Sequence, residues 1–252
     1  MTLDRTSRRY SLTLSAAAAL VAAGGPARAQ ARASGGVIVF GGTGRLGAPI
    51  VKLLVAAGED VTVFARANSD RARLAGLNVN YAIGDLTDEA SVAAAFDAGK
   101  FRVAIDGSAQ RGVATPSPTF YEDITRSIVT HAKRTGARQI IHHGSIGAGA
   151  NIGEVPALKG FKQTPGLVDK GKAEQVMIDG GLPYTIIRNG LLPRDPQPPA
   201  TLRAILTTDL TTFGEVTRDD LAIFTLDVMD HPARLNRIYH AVDPTLKTRE
   251  PE

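Results

Sequence analysis

Short apolar runs alternate with longer amphipathic segments from about residue 36 to the carboxyl end of the chain. Runs rich in β-branched and aromatic residues predict strands, and apolar positions that recur every three or four residues predict helices. Strands are predicted in this way at residues 37–40, 61–64, 79–83, 103–106, 139–143, 185–188 and 237–242.

Helices are predicted between these strands. Ile50, Leu53 and Leu54 share one face of the first, which Gly58 ends, and Thr87 is the predicted N-cap of a helix over 88–96. Strands without polar positions that alternate with helices are typical of a parallel sheet covered on both faces. Right-handed crossovers then give a doubly wound, Rossmann-like α/β sheet, predicted here as a single domain over 30–252. The remaining helices are predicted around 124–132 and at 170–178 and 219–229.

Residues 191–216 interrupt the alternation, because they carry several prolines and no clear period. Irregular segments at the carboxyl end of such a sheet commonly shape a substrate cleft, which we expect here. The alternative is a surface excursion without a ligand. The apolar residues of the segment favour an apolar ligand; they are Leu191, Leu192, Leu202, Ile205 and Leu206.

The first 29 residues resemble an export signal. Arg8 and Arg9 precede an alanine-rich run, and small residues at Ala27 and Ala29 predict cleavage after Ala29. The run of about 12 apolar residues is too short to span a hydrocarbon core of roughly 30 Å, so we expect no stable membrane insertion after cleavage. Paired arginines favour the twin-arginine route and a periplasmic or secreted protein. A general-secretion signal or an uncleaved amphipathic tail are the alternatives.

Composition narrows the function classes. Hydrophobic residues make up 43% of the chain, which is enough to fill a core and argues against disorder. Most of the net charge of +4 lies in the first 29 residues, and the remaining charges nearly balance, so nucleic acid is not an expected partner. The absence of cysteine excludes a thiol nucleophile, and no spacing of His, Asp and Glu predicts a metal site.

A glycine-rich loop joins the first strand to the first helix. Gly41, Gly44 and Gly47 follow a G-x-x-G-x-x-G spacing. The first glycine permits a tight turn, the second lets a pyrophosphate approach backbone amides, and the third lets the helix pack close to the strand. The phosphates are then expected at the positive end of the helix. The other predicted cofactor-binding residues of this loop are Thr43, Arg45 and Leu46.

The residue at the end of the second strand bears on which nucleotide binds. Enzymes that use NAD commonly place an acidic residue there, whereas this chain has Arg66. Arg66 and Arg45 can both form charge-assisted hydrogen bonds with a 2′-phosphate. The sequence therefore favours NADP over NAD, with a solvated Arg66 as the alternative.

These motifs, together with residues 84–86, 181–188 and 217–222, resemble the atypical short-chain dehydrogenase/reductases of the NAD(P)-binding, NmrA-like type. The resemblance covers nearly all of residues 36–243. It implies that Asp85 and Leu86 lie beside the adenine and Ser108 near the nicotinamide ribose.

Dehydrogenases of that family use a serine after the fifth strand and a tyrosine four residues before a lysine. Ser145 and Lys170 match the serine and the lysine, but Gly166 stands at the tyrosine position. The resemblance implies that Ser145 polarises the acceptor and Lys170 orients the ribose. His143 is a candidate proton donor, since histidine titrates near neutral pH, and Tyr121 is a weaker one.

The sequence thus favours an NADP-dependent oxidoreductase that acts on a small organic acceptor and retains its cofactor tightly. An NAD(P)-using isomerase or epimerase, or a non-catalytic NADP-binding sensor or assembly protein, are the alternatives. The expected partner is a small-molecule substrate, and the expected state is a monomer or a homodimer.

Overall fold

The computed structural model describes residues 35–110 and 116–247, so the predicted signal peptide lies outside the described residues. Within them, no helix is both long enough and apolar enough to cross a membrane. The helices are α1 (Gly47–Ala56), α2 (Glu89–Asp97), α3 (Phe120–Arg134), α4 (Pro165–Asp179) and α5 (Arg218–Val228). The strands are β1 (Gly36–Phe40), β2 (Val61–Ala65), β3 (Asn80–Ile83), β4 (Phe101–Asp106), β5 (Gln139–Ser145), β6 (Tyr184–Asn189), β7 (Ile205–Thr207) and β8 (Arg237–Val242).

The strands form one sheet in the order β3-β2-β1-β4-β5-β6-β8-β7. Every neighbouring pair is parallel except β7 and β8, which are antiparallel. The winding reverses between β1 and β4, and a crevice forms at the carboxyl ends of strands where this happens. The predicted doubly wound, Rossmann-like fold is confirmed.

Helices cover both faces of the sheet because successive side chains along each strand point to opposite sides. Val39 and Ile105 belong to the core shared with α1 and α5. Their chain neighbours Phe40 and Ala104 belong to the core shared with α2, α3 and α4. All four are fully buried, which explains why these strands lack the polar alternation of a half-exposed sheet.

Three local features differ from the sequence prediction. The N-cap of α2 is Asp88, whose side chain accepts from Ala90 N–H, because Thr87 instead donates to Asp85 in the preceding turn. Helix α4 begins at Pro165 rather than near residue 170, since Thr164 caps it and proline suits a first turn. The irregular segment 191–216 contains a strand, β7, whose partner β8 is too distant in the chain to be read from local pattern.

Arg102 links several chain segments at the edge of the sheet formed by the amino ends of the strands, opposite the crevice. Its buried guanidinium donates to the Gly35 carbonyl, to Glu59 and to Asp230, at 2.7–2.8 Å. The contacts thereby tie the start of β1 to the segment that follows α5. Breaking one of them would leave charge buried without a full set of partners, which is costly.

Candidate functional site

The nucleotide loop, residues 41–47, is shaped by glycines that leave no space for side chains. Gly41 has a φ of +74°, and a Cβ on it would lie 2.8 Å from Ser108 Cα in the turn after β4. A Cβ on Gly47 would lie 2.2 Å from the Gly41 carbonyl oxygen. These close approaches bring the loop, the start of α1 and the turn after β4 together at the crevice.

The amides of this loop fit an anionic group. Gly44 N–H donates to the Gly41 carbonyl, and Ala48 N–H donates to the Gly44 carbonyl. The amides of Thr43, Arg45 and Leu46 have no backbone acceptor among the described residues. Free N–H groups at a helix N-terminus are a ready site for phosphate, so the cradle fits the pyrophosphate of a dinucleotide.

A strap, residues 193–202, reaches from the end of β6 towards this loop. Arg218, buried at the start of α5, donates to the Pro193 carbonyl at 3.1 Å and to Gln197 Oε1 at 2.7 Å. At the tip of the strap, Asp195 forms an ion pair with Arg45. The strap therefore connects the N-terminal ends of α1 and α5, and it presents a carboxylate to one of the two arginines predicted to bind the 2′-phosphate.

The second predicted arginine, Arg66, is exposed directly after β2. Hydrogen bonds from Thr87 N–H and Oγ1 hold the pKa of Asp85 below its usual value, and the positive charge of Arg66 adds to this effect. Asp85 is thus an ionised group beside Arg66. Leu86, predicted to lie beside the adenine, is half-buried against the core under β3.

The structure brings Ser145 and Lys170, the two residues matched to the family positions, into direct contact. Ser145 ends β5, and Lys170 lies on α4, where its Nζ donates to Ser145 Oγ at 2.7 Å. The same Nζ lies 5.0 Å from the centre of the Tyr121 ring, within the range of a cation–π contact. Ser145, Lys170 and Tyr121 are named the Ser145 cluster below.

Tyr121 is held in this cluster by contacts at both ends of the residue. Asp169, the neighbour of Lys170, is buried and accepts from Tyr121 N–H at 2.7 Å and from Glu122 N–H at 3.3 Å. Burial raises the pKa of Asp169. The Tyr121 hydroxyl accepts from Gln110 N–H at 3.3 Å, which ties it to the segment after β4.

Ser108 adjoins both the nucleotide loop and a buried ionisable pair. Its N–H and Oγ donate to Asp106 at the end of β4, and the other oxygen of Asp106 lies 2.9 Å from His142 Nδ1. Burial alone would raise the pKa of Asp106, but the contacts with His142 and Ser108 outweigh it, and the pKa is lowered. The pair therefore fixes the turn where Ser108 meets Gly41.

His143 points to the opposite face of the sheet from His142. Its Nδ1 lies 3.1 Å from Asn189 Oδ1 on β6, and its Nε2 lies 2.9 Å from Thr225 Oγ1 on α5. Burial lowers its pKa to about 4, so the ring is neutral at physiological pH. Both ring nitrogens are occupied by this bridge, and the structure does not bring His143 into the Ser145 cluster.

Two residues of the site, Asp169 and Asp195, are not predicted from the sequence, and neither is the contact between Tyr121 and Lys170. A carboxylate directly before the matched lysine was a visible signal, because buried carboxylates often accept hydrogen bonds from helix N-terminal amides. The chain gave no comparable signal for Asp195. Among residues 35–110 and 116–247, no group of three His, Asp or Glu side chains is placed to hold a metal ion.

Comparison with known proteins gives a family match over most of the chain. A family model described as NAD(P)H-binding matches residues 41–232. Sterol demethylase protein B of Methylococcus capsulatus is 37% identical over 113 residues, which cover 44% of this chain and 34% of that protein. An uncharacterised chloroplast protein of Arabidopsis thaliana is 30% identical over 173 residues, covering 61% and 52%. The chain thus spans about a third and about half of the lengths of these relatives.

Solved structures share the fold at lower identity. An anaerobillin reductase from Escherichia coli O157:H7 superposes with a TM-score of 0.68 at 23% identity, covering 84% of this chain and 99% of that one. A short-chain dehydrogenase/reductase from Veillonella parvula in complex with NADP has a TM-score of 0.67 at 17% identity, covering 86% and 99%. At these identities the likeness shows the fold alone.

Proposed function

Since the chain belongs to the NAD(P)H-binding family, with an atypical short-chain dehydrogenase/reductase fold, we propose that it is an oxidoreductase that prefers NADP and acts on a small organic acceptor. The observation that carries the proposal is the 2.7 Å contact between Lys170 and Ser145 at the sheet edge that also bears the nucleotide loop. When bound, the nicotinamide supplies or takes up a hydride. Residues of the chain bind the acceptor and supply the proton that it takes up on reduction.

Ser145 is the proposed group that polarises the acceptor. Because Lys170 Nζ donates to Ser145 Oγ, the serine hydroxyl proton is left to donate to an acceptor oxygen. The nearby ammonium stabilises negative charge that develops on that oxygen. His143 has no place in this proposal, since its ring bridges β6 and α5.

The NADP preference rests on Arg45 and Arg66, with no acidic residue at the end of β2. In titrations by nucleotide fluorescence, we expect NADPH to bind at least tenfold more tightly than NADH. Arg66→Ala should remove most of that difference, because a charge-assisted hydrogen bond is worth roughly 1.5–3 kcal/mol. Arg138→Ala is the matched control, an exposed arginine at the amino edge of the sheet. Equal affinities in the unmodified protein would overturn the preference.

Turnover is tested with NADPH and a panel of enones, quinones and free flavins. Ser145→Ala should lower kcat by about 100-fold, within the usual range for a group that assists proton transfer, with nucleotide affinity unchanged. Turnover that survives Ser145→Ala intact would contradict the role given to Ser145.

We also propose that residues 1–29 direct export by the twin-arginine route. That route carries folded proteins, so a nucleotide bound before export could travel with the chain, and a retained cofactor needs no pool of free NADPH. The periplasmic protein should therefore contain stoichiometric NADP on extraction. Arg8/Arg9→Lys/Lys should block export of a reporter fused after residue 35, and a reporter that stays inside with the intact signal would contradict the proposal.

A further inference from the structure

The tyrosine position of the family pattern is occupied by Gly166, yet a phenol stands beside the matched lysine. Lys170 Nζ contacts Ser145 Oγ on one side and the ring of Tyr121 on the other. Tyr121 belongs to α3, whereas Gly166 and Lys170 belong to α4. The serine, the lysine and a phenol are thus assembled from three segments of the chain.

We propose that Tyr121 is the catalytic acid/base that replaces the missing tyrosine, an assignment that rests on the proposed oxidoreductase function. In the direction of reduction, NADPH held by the nucleotide loop would supply a hydride to the acceptor carbon as its own C–H bond breaks and NADP⁺ forms, and the carbonyl π electrons of the acceptor would move to its oxygen. That oxygen takes the proton of the Tyr121 hydroxyl. Solvent returns a proton to the phenolate, and oxidation runs through the same atoms in reverse.

The surroundings of Tyr121 suit a group that carries transient negative charge. Gln110 N–H donates to the phenol oxygen at 3.3 Å and stabilises charge that remains there when the proton leaves. The Lys170 ammonium, 5.0 Å from the ring centre, acts in the same direction. Proton transfer also requires a fixed geometry, because a donor must come within hydrogen-bond reach of the acceptor.

The contacts of Asp169 supply that fixed geometry. Its carboxylate accepts hydrogen bonds from the N–H groups of Tyr121 and Glu122 in the first turn of α3. The next residue along α4 is Lys170. Phe120 packs edge-on against Tyr121, with ring centres 5.2 Å apart. The phenol and the ammonium are therefore positioned by one buried junction between α3 and α4 rather than by a single helical turn.

Tyr121→Phe tests the assignment because it removes only the hydroxyl. We expect kcat to fall at least about 100-fold, with nucleotide affinity unchanged. Tyr184→Phe, at the amino end of β6 and half-buried like Tyr121, is the matched control and should keep full turnover. Full turnover in Tyr121→Phe, with turnover lost in Ser145→Ala, would overturn the phenol and leave the oxidoreductase function standing.

Moving the phenol back to the family position gives a second test. A Cβ at Gly166 meets nothing within 4 Å, and residue 166 lies one helical turn before Lys170 on the same face. The double variant Tyr121→Phe/Gly166→Tyr should have a kcat at least tenfold higher than that of Tyr121→Phe alone. Recovery would show that a phenol beside Lys170 is the missing element.

A chemical measurement on the protein without nucleotide tests the role of Tyr121 even when no acceptor has been identified. Tyrosine nitration, mapped by mass spectrometry, reports phenols that readily lose their proton. Tyr121 should be nitrated at least tenfold faster than Tyr184, and Lys170→Met should slow it to the rate of Tyr184. Equal rates at Tyr121 and Tyr184 would overturn the assignment even if the oxidoreductase function holds. If no acceptor is ever reduced, the proposed function fails, and fast nitration that depends on Lys170 would still support an activated phenol.

Discussion

The nucleotide loop is made of backbone from one short run of residues, whereas the Ser145 cluster joins side chains from three separate segments. In the loop, Gly41 and Gly47 matter because they have no side chain, and backbone amides are the groups that fit the pyrophosphate of a dinucleotide. In the cluster, Ser145, Lys170 and Tyr121 matter for the groups they carry. Nucleotide binding by the loop should therefore be lost when a side-chain atom is added at Gly41 or Gly47. Turnover should be lost when a single functional group is removed from the cluster.

The largest expected effect comes from adding one methyl group to the nucleotide loop. A Cβ on Gly47 would lie 2.2 Å from the Gly41 carbonyl oxygen, so Gly47→Ala must displace backbone. We expect nucleotide affinity to fall at least 100-fold and the free energy of unfolding to fall by about 1–3 kcal/mol, as for other overpacked sites. Isothermal titration with NADPH and urea denaturation measure the two quantities.

Gly166→Ala is the matched change near the Ser145 cluster. A Cβ at residue 166 meets nothing within 4 Å, and alanine favours helix over glycine by up to about 1 kcal/mol. Stability should stay level or rise, with nucleotide affinity unchanged. If both alanine variants behaved alike, the distinction between a backbone-made and a side-chain-made region would be lost.

A smaller effect is expected of pH on the free energy of unfolding. The nucleotide loop has no side chain that titrates between pH 4 and 7, whereas His143 lies near the end of β5. Burial lowers the pKa of His143 to about 4, against about 6.5 in the unfolded chain. Between these values the unfolded chain binds a proton that the folded protein does not. The free energy of unfolding should therefore fall as the pH drops from 6.5 towards 4, by about 3 kcal/mol at most.

The variant that isolates this contribution is His143→Gln. Its amide can keep a hydrogen bond across β5 and α5 but cannot titrate, so its stability should change less over the same pH interval. Urea denaturation of both proteins at pH 7, 5.5 and 4.5 gives the comparison. Parallel curves would assign the acid sensitivity to another group, such as His240, whose pKa is also lowered by burial.

The smallest expected effect concerns the strap. Arg45 and Asp195 are 39% and 55% exposed, and exposed ion pairs contribute about 1 kcal/mol or less. Asp195→Asn removes a carboxylate that competes with the 2′-phosphate for Arg45, so NADPH should bind about two- to fivefold more tightly at low salt. The gain should vanish near 1 M salt, where the Debye length is about 3 Å. Weaker binding would instead mean that Asp195 positions Arg45 for the phosphate.

The parts of the molecule that the sequence predicts well depend on neighbours in the chain. The strand, glycine loop and helix over Gly36–Ala56 follow from local pattern, because each needs only residues a few positions away. Ser145 and Lys170 are assigned to one site by a family resemblance, which supplies long-range information, but that resemblance does not predict the hydrogen bond between them. The doubly wound arrangement then follows from strands that alternate with helices and from the right-handed crossover rule.

Features that depend on distant partners escaped prediction. Strand β7 forms because it pairs with β8 as an antiparallel neighbour. The sequence around β7, which follows several prolines, does not indicate this pairing. The N-cap of α2 is Asp88 rather than the predicted Thr87, because the Thr87 hydroxyl donates a hydrogen bond to Asp85 instead. Tyr121 was ranked below His143 as a proton donor, since nothing local shows that Asp169 anchors the start of α3 beside Lys170.

The cluster around Arg102 has a practical consequence for handling the protein. Gly35, whose carbonyl Arg102 holds, precedes β1 at the edge of the sheet opposite the nucleotide loop and the Ser145 cluster. A protein tethered to a bead, an electrode or a fusion partner through an attachment just ahead of Gly35 would present its crevice outward. Immobilisation chemistry directed at that end should leave diffusion of nucleotide and acceptor unobstructed, whereas random coupling through surface lysines would leave the crevice of many molecules facing the support.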